Sequence, residues 1–207
     1  MILLKFDKAI NGESEVAGHE NWINVSSFQI GVGRSISTVG GGGDRETSNP
    51  SFSEVTLARS TDKASQDLMI QACGGVSLGN ATIDFLQTGG TAKGQIYLQY
   101  VLEDCIVSSY SVSSGGERPS ESLSLNYTKL KMTYNAFTGG VVTKGTAKGW
   151  DLIKNEECTS AHARSDHLRP VRGTASRGAA GRRLTSRSGE FRLRRLRPRQ
   201  RQHRAVP

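Results

Sequence analysis

Gln95–Val112 reads QIYLQYVLEDCIVSSYSV, the longest alternating run in the chain. Ile96, Leu98, Tyr100 and Leu102 fall on one parity, and Tyr97, Gln99, Val101 and Glu103 on the other. Successive side chains on a strand point to opposite faces, so this pattern is that of a long β-strand with one face toward a core. The segments after it repeat the theme. Ser122–Tyr127 is a strand candidate, and in Lys129–Tyr134 two lysines alternate with Leu130, Met132 and Tyr134.

Working back from this run, Ala81–Phe85 and Val55–Ala58 are shorter candidates, and Ile2, Leu4 and Phe6 alternate with Leu3 and Lys5. Ile23 and Val25 share one parity, whereas Phe28, Ile30 and Val32 carry the pattern on in the other. A parity change across Ser26 and Ser27 predicts a bulge or strand break there. Gly-Gly pairs at 74–75, 89–90, 115–116 and 139–140 punctuate these segments at turn-like positions. From Thr61 to Cys73 the period changes: Ser65, Leu68, Met69 and Ala72 fall at i, i+3, i+4 and i+7, with Asp62 in the first turn and Gly74 just past the end. Many strands, one short helix and no βαβ alternation predict a β-barrel or sandwich. Ser37–Ser51, with four successive glycines and Pro50, reads as a long loop of the kind that carries function.

The chain divides in composition near residue 155. Residues 1–155 hold nine Lys and four Arg against 15 acids, a formal charge of −2, and residues 156–207 hold 14 Arg, no Lys and four acids, a formal charge of +10. The overall charge of +8 therefore belongs to the tail. Residues 1–155 suffice for one domain with a hydrophobic core. The segment 156–207, with Phe191 its single aromatic, predicts a disordered tail, or one arising from a shifted reading frame or a fusion scar. Within it Arg192, Arg194, Arg195, Arg197, Arg199 and Arg201 form a run that would contact polyanions, nucleic acid included, non-specifically and with strong salt dependence. No aromatics are interleaved for base stacking.

Candidate chemistry is sparse. Cys73, Cys105 and Cys158 have no CxxC spacing and indicate neither a disulfide framework nor a zinc site; Cys73 and Cys105 are expected to pack as small hydrophobes. Gly40–Gly43 lacks the Lys-Ser/Thr of a phosphate loop, and Gly31 and Gly33 are followed by Ile36 where a dinucleotide fingerprint needs glycine. Glu13, Glu15 and Glu20 around His19 read as solvated loop charge rather than a metal cluster, and His162, His167 and His203 in the tail lack zinc spacing. Glu103 and Asp104 are adjacent, so on a strand they face opposite sides and cannot act as a pair. No catalytic, cofactor or metal constellation emerges, and the chain reads as a non-enzyme. The N-terminal apolar run, interrupted at Asp7, is too short for a signal peptide, and no stretch has the length of a membrane span.

The ordered blocks of residues 2–154 resemble the haemolysin-coregulated proteins (Hcp) of the bacterial type VI secretion system. They are Gly12-Glu13-Ser14 with His19, Ile23–Val25, Glu54–Arg59 after the glycine-rich loop, Asp62–Ser65, Val107–Tyr110, Pro119–Tyr127, and Gly149-Trp150-Asp151. The resemblance implies a compact two-sheet β-barrel with one short helix, six copies in a ring, and rings stacked into a tube. It also implies a VgrG-type spike, a contractile sheath and small effectors as partners, cytoplasmic assembly, and secretion without a cleavable signal. The loop residues Gly40, Gly41, Gly42, Gly43, Asp44, Arg45 and Glu46 would be the contact between adjoining rings. Family members commonly end soon after Gly149-Trp150-Asp151, so the Arg-rich extension leaves two other readings: a polyanion-binding protein working through its tail, or an Hcp fused to a short effector.

Overall fold

Alternation along β1 (Ile2–Phe6) already shows how the protein is layered, because Leu3, Leu4 and Phe6 are all buried and only Lys5 is exposed. A strand buried on both faces sits inside a sheet that is covered above and below. The computed structural model describes residues 1–38, 45–89, 94–138 and 141–159. After β1 come β2 (Ile23–Val25), β3 (Ser27–Gln29), β4 (Val32–Gly33), β5 (Ile36–Thr38), β6 (Arg45–Thr47), β7 (Ser51–Phe52) and β8 (Val55–Ser60). Helix α1 (Ser65–Gly74) and β9 (Ala81–Leu86) lead to β10 (Ile96–Glu103), β11 (Ile106–Ser113), β12 (Ser120–Asn126) and β13 (Lys129–Tyr134). A hairpin of β14 (Ala136–Thr138) and β15 (Val141–Thr143) precedes β16 (Lys148–Asp151) and β17 (Glu156–Thr159).

The strands form a seven-stranded antiparallel sheet in the order β17-β16-β13-β10-β9-β1-β2 and a four-stranded one in the order β11-β12-β8-β3. The chain turns directly from one sheet to the other at three corners, β2 to β3, β10 to β11 and β12 to β13, and crosses a fourth time through α1, from β8 to β9. The expected parity break at Ser26–Ser27 is the first of these corners. The second corrects the reading of Gln95–Val112 as one strand. That run is two strands of different sheets, divided where Asp104 takes φ 53°. The corner is pinned by backbone bonds from Cys105 N–H to Gly79 O (2.8 Å) and from Leu78 N–H to Cys105 O (2.8 Å), and by Ser77 Oγ donating to Asp104 Oδ1 (2.6 Å). Leu4, Ile23, Leu57, Ile83, Leu102, Leu123 and Leu125 fill the space between the sheets.

Helix α1 begins later than Thr61. Asp62 instead builds a turn before it, its Oδ1 accepting from Ala64 N–H at 2.7 Å, and Gly75 rather than Gly74 takes the left-handed position at the end (φ 59°). Leu68 is buried, but Met69 is exposed, and Cys73 is exposed rather than packed in the core. Cys73 lies five residues past Leu68, about 140° around the helix, so its thiol faces outward.

The segment Ser37–Ser51 is not a loop throughout. β4 pairs with β7 and β5 with β6, in the register Ile36 to Thr47, Ser37 to Glu46 and Thr38 to Arg45, so an arm of two short antiparallel ribbons projects between β3 and β8. Serines stitch its base: Gly31 N–H donates to Ser53 Oγ (2.8 Å), and Ser35 N–H to Ser48 Oγ (2.9 Å). No helix among the described residues is long and apolar enough to cross a membrane.

Burial pushes the Cys105 thiol up from 9.0 to about 12, and burial beside Glu54 pushes the Tyr127 phenol up from 10.0 to about 12. The Tyr127 hydroxyl donates to Ser53 O at 2.9 Å. Between the unfolded and folded values the native chain holds protons that the unfolded chain has released. Stability is therefore full below about pH 9 and falls as pH rises toward 12, by at most about 1.4 kcal/mol per pH unit for each group. Urea unfolding midpoints measured from pH 8 to 11 are expected to fall, and Cys105→Ala to flatten the part of the slope that starts near pH 9.

Candidate functional site

Two strands place a charge where alternation calls for an apolar side chain. On β8 the buried parity runs Val55, Leu57, Arg59, and on β12 it runs Glu121, Leu123, Leu125. Arg59 and Glu121 are direct cross-strand partners, each 1% exposed, with Arg59 Nε 3.2 Å from Glu121 Oε2. The same guanidinium pairs with Asp62 and reaches Ser65 Oγ at 3.4 Å, so it binds the entrance of α1 to the four-stranded sheet. Tyr110 stands beside this group; burial first, then the neighbouring Glu121 carboxylate, raises its phenol above the ordinary value. The cluster is closed in, and its chemistry is that of a clamp. Sequence reading passed over it although the two charges break the alternation.

A second buried pair lies on the other face of the seven-stranded sheet. His19 Nε2 meets Asp84 Oδ2 at 2.9 Å, Gln99 Nε2 donates to Asp84 Oδ1 at 2.7 Å, and Trp22 packs edge-on against the imidazole with ring centroids 4.5 Å apart. Lys5 Nζ lies 5.8 Å from the Trp22 ring centroid. His19 is thus buried, not part of the solvated loop charge, whereas Glu13, Glu15 and Glu20 are exposed as expected. Its role is to lay the 8–22 segment over the sheet. No group of three or more His, Cys, Asp or Glu among the described residues is placed to hold a metal.

Glu103 and Asp104 separate, though not by alternation along one strand, since β10 ends at Glu103 and Asp104 lies in the corner. Asp104 turns to Ser77, while Glu103 pairs with Lys131 and with Lys129 (3.5 Å), and Lys129 reaches Asp151 at 3.5 Å. The hydrogen bond from Lys131 holds the Glu103 carboxyl below the usual range, and backbone N–H donation from Lys154 does the same for Asp151. These are surface ladders across β10, β13 and β16.

The surface with unmet physical demand is apolar. Phe28 stacks on Tyr100 with centroids 4.9 Å apart, and beyond that stack a groove of about 310 Å³ opens between the base of the arm and β13 and β16. Ile30, Val32, Phe52, Met132 and Trp150 line it with Tyr100. Tyr100 is the cross-strand partner of Met132, and Leu102 of Leu130, so these side chains share the core-facing side of the sheet. Along β13 that side emerges into solvent: Leu130 is half-buried, Met132 is 42% exposed and Tyr134 59%. Of the expected ring-contact residues, Arg45 and Glu46 lie on β6 of the arm, and Gly40, Gly41, Gly42, Gly43 and Asp44 lie outside the described residues. Arg192, Arg194, Arg195, Arg197, Arg199 and Arg201 also lie outside them, as do His162, His167 and His203.

Comparison with known proteins agrees with this architecture. The family model described as type VI secretion system effector, Hcp, matches residues 3–134. A solved type six secretion system protein superposes with a TM-score of 0.70 at 26% identity, over 76% of this chain and 98% of that one. Hcp1 from Salmonella typhimurium gives 0.61 at 24% identity, over 76% and 97% of the two chains. A type VI secretion system effector from Yersinia pestis gives 0.55 at 21%, over 73% and 99%. No curated protein matches the chain.

The clamp yields a direct expectation. Arg59→Met removes the cation and leaves Glu121 and Asp62 without their partner in a buried site. The loss should be about 3–5 kcal/mol, read as a lowered denaturant midpoint. Arg59→Met combined with Glu121→Leu should recover much of it, since an apolar pair of similar volume is tolerated there.

Proposed function

We propose a structural role from one premise: the chain belongs to the Hcp family of the type VI secretion system. In this reading the barrel is a tube subunit, six copies close into a ring, and rings stack along one axis. Small effectors travel in the lumen, and a VgrG-type spike and a contractile sheath are the assembly partners. The action is mechanical, and the protein leaves the cell as part of the tube or with it.

The observation that carries the reading is the extent of the fold match. The chain covers 98% of a type six secretion system protein, so the barrel with its helix and arm corresponds to nearly the whole of that relative. The apolar groove supports it, because a cyclic head-to-tail interface covers such a surface while stopping sideways growth. The arm, with the segment Gly40–Glu46, is the proposed contact between adjoining rings; charges repeated around a ring reinforce one another although each surface pair is weak. The Arg-rich segment supports a secondary reading as a non-specific polyanion contact.

Light scattering after size exclusion, at low and at high salt, tests the ring. A species near six times 22.3 kDa is expected for the full chain at both salts, and a truncation after Thr159 should give six times its own smaller subunit mass. The cut falls there because β17 runs to Thr159 and pairs with β16. A monomer at both salts and all concentrations would sink the proposal. Nucleic-acid retention should be confined to the full chain and to low salt. Ring loss on truncation would move the working part to the tail.

A further inference from the structure

The seven-stranded sheet is covered unevenly on its core side. β1, β9 and β10 lie under the four-stranded sheet and the Phe28 stack, whereas past β10, among the described residues, the base of the arm is what reaches over, leaving the groove along β13 and β16. A second apolar surface lies elsewhere on the barrel. α1 turns Leu68 inward and leaves Met69 and Ile70, the latter 58% exposed, together with Cys73 on its outer side, and Val76 stands exposed just beyond its end. The two surfaces sit at opposite edges of the four-stranded sheet. α1 packs against one edge strand, β11, and the groove opens beyond the other, β3.

Each carries charge of both signs, with Lys8 reaching Gln71 of α1 at 2.8 Å and Glu157 paired across from Trp150, but one unpaired charge on each makes a complementary pair. Asp67 projects from α1, exposed and without an ion-pair partner among the described residues. Lys148 lines the groove and Arg34 stands exposed on the arm, and neither has an acidic partner among the described residues. Two different, complementary surfaces on opposite sides of one subunit are what a head-to-tail contact requires, since each copy offers one and accepts the other. Met and aromatic side chains are also the types enriched where such contacts carry energy.

We infer that the outer stripe of α1, Met69, Ile70 and Cys73, seats in the groove between the arm base and β13 of the next copy, with Asp67 facing Lys148. This inference rests on the ring reading and names the contact that closes the ring. Each contact covers one apolar surface and exposes its mate on the far side of the newly added copy. Only closure satisfies both.

The native Cys73 provides the test. In a Cys158→Ser background, Met132→Cys and, separately, Val32→Cys place a thiol in the groove, and all these positions are half-buried or exposed, so folding is not at risk. Copper-phenanthroline oxidation should then give a disulfide-linked ladder ending at six subunits on a non-reducing gel, abolished by Cys73→Ser. Asp67→Lys should weaken association about fivefold per contact, the scale of one exposed ion pair, and Lys148→Glu in the same chain should restore it. A hexamer by light scattering with no ladder in either variant and no effect of Asp67→Lys would overturn this contact, leave the ring standing, and give the groove to a cargo segment or an adjoining ring. A monomer at every concentration would overturn both.

Discussion

The buried guanidinium of Arg59 governs how this barrel is put together on its helical side. It is held by Glu121 across the β8–β12 pair and by Asp62 and Ser65 at the entrance of α1, so one cation fixes a strand register and a helix position together. Desolvating such a group is costly, and a well-packed apolar set could be as stable. What the ions add is direction. A slip of one residue in the β8–β12 register would move Arg59 to the opposite face and strand both carboxylates, a far larger loss than an apolar slip would incur. α1 depends on that direction, because it is short and buries few of its own side chains. Its outward stripe can face a neighbour consistently only if the helix is pinned at its start.

Much of the fold was legible because alternation is a strong signal wherever one face is buried. The corner at Ser26–Ser27 was visible as a parity change. The corner at Asp104 carried the same signal, with Leu102 on one parity and Cys105 and Val107 on the other, yet it was hidden. Ile106 and Val107 are both apolar, so either parity continues through them, and the ladder slips again between Val107 and Ser109. An irregularity that restores the original parity a few residues later makes two strands look like one.

The arm and the clamp were harder to read for opposite reasons. Ribbons such as Ile36–Thr38 with Arg45–Thr47 are held by backbone hydrogen bonds and bury little, so they leave no hydrophobic period, and a glycine-rich stretch between them looks like loop. Arg59 and Glu121 of the clamp are buried, but the base rule that charges lie outside conceals a charge that does not. His19 escaped for the same reason: three exposed glutamates surround it in sequence, while its partner Asp84 is far along the chain. Cys73 failed through the general tendency of thiols to be buried, which a helix start shifted from Thr61 to Ser65 does not alter but Leu68 does, by fixing which side faces in.

The groove ties fold to function through what a barrel of this shape cannot do alone. Corners at three strand pairs wrap the four-stranded sheet over β1, β9 and β10, but the seven-stranded sheet runs on past them into β13, β16 and β17. Among the described residues β13 presents Met132 and Tyr134, exposed, from the core-facing side, with the base of the arm across the groove from Met132. Extending the four-stranded sheet to cover them would add chain and hide the surface permanently. Leaving them open makes burial conditional on a neighbour, and β17, the edge strand of that sheet among the described residues, adds backbone groups without a ladder partner there next to the same region. A lone subunit with such a surface is prone to association of any kind. Confining that association to one geometry takes a rigid complementary surface, and in the proposed contact α1, fixed by the clamp, would be that surface. In the proposed ring, the buried ions on one side and the exposed methionine and tyrosine on the other would be two halves of a single requirement, that copies meet in one orientation and stop when the circle is closed.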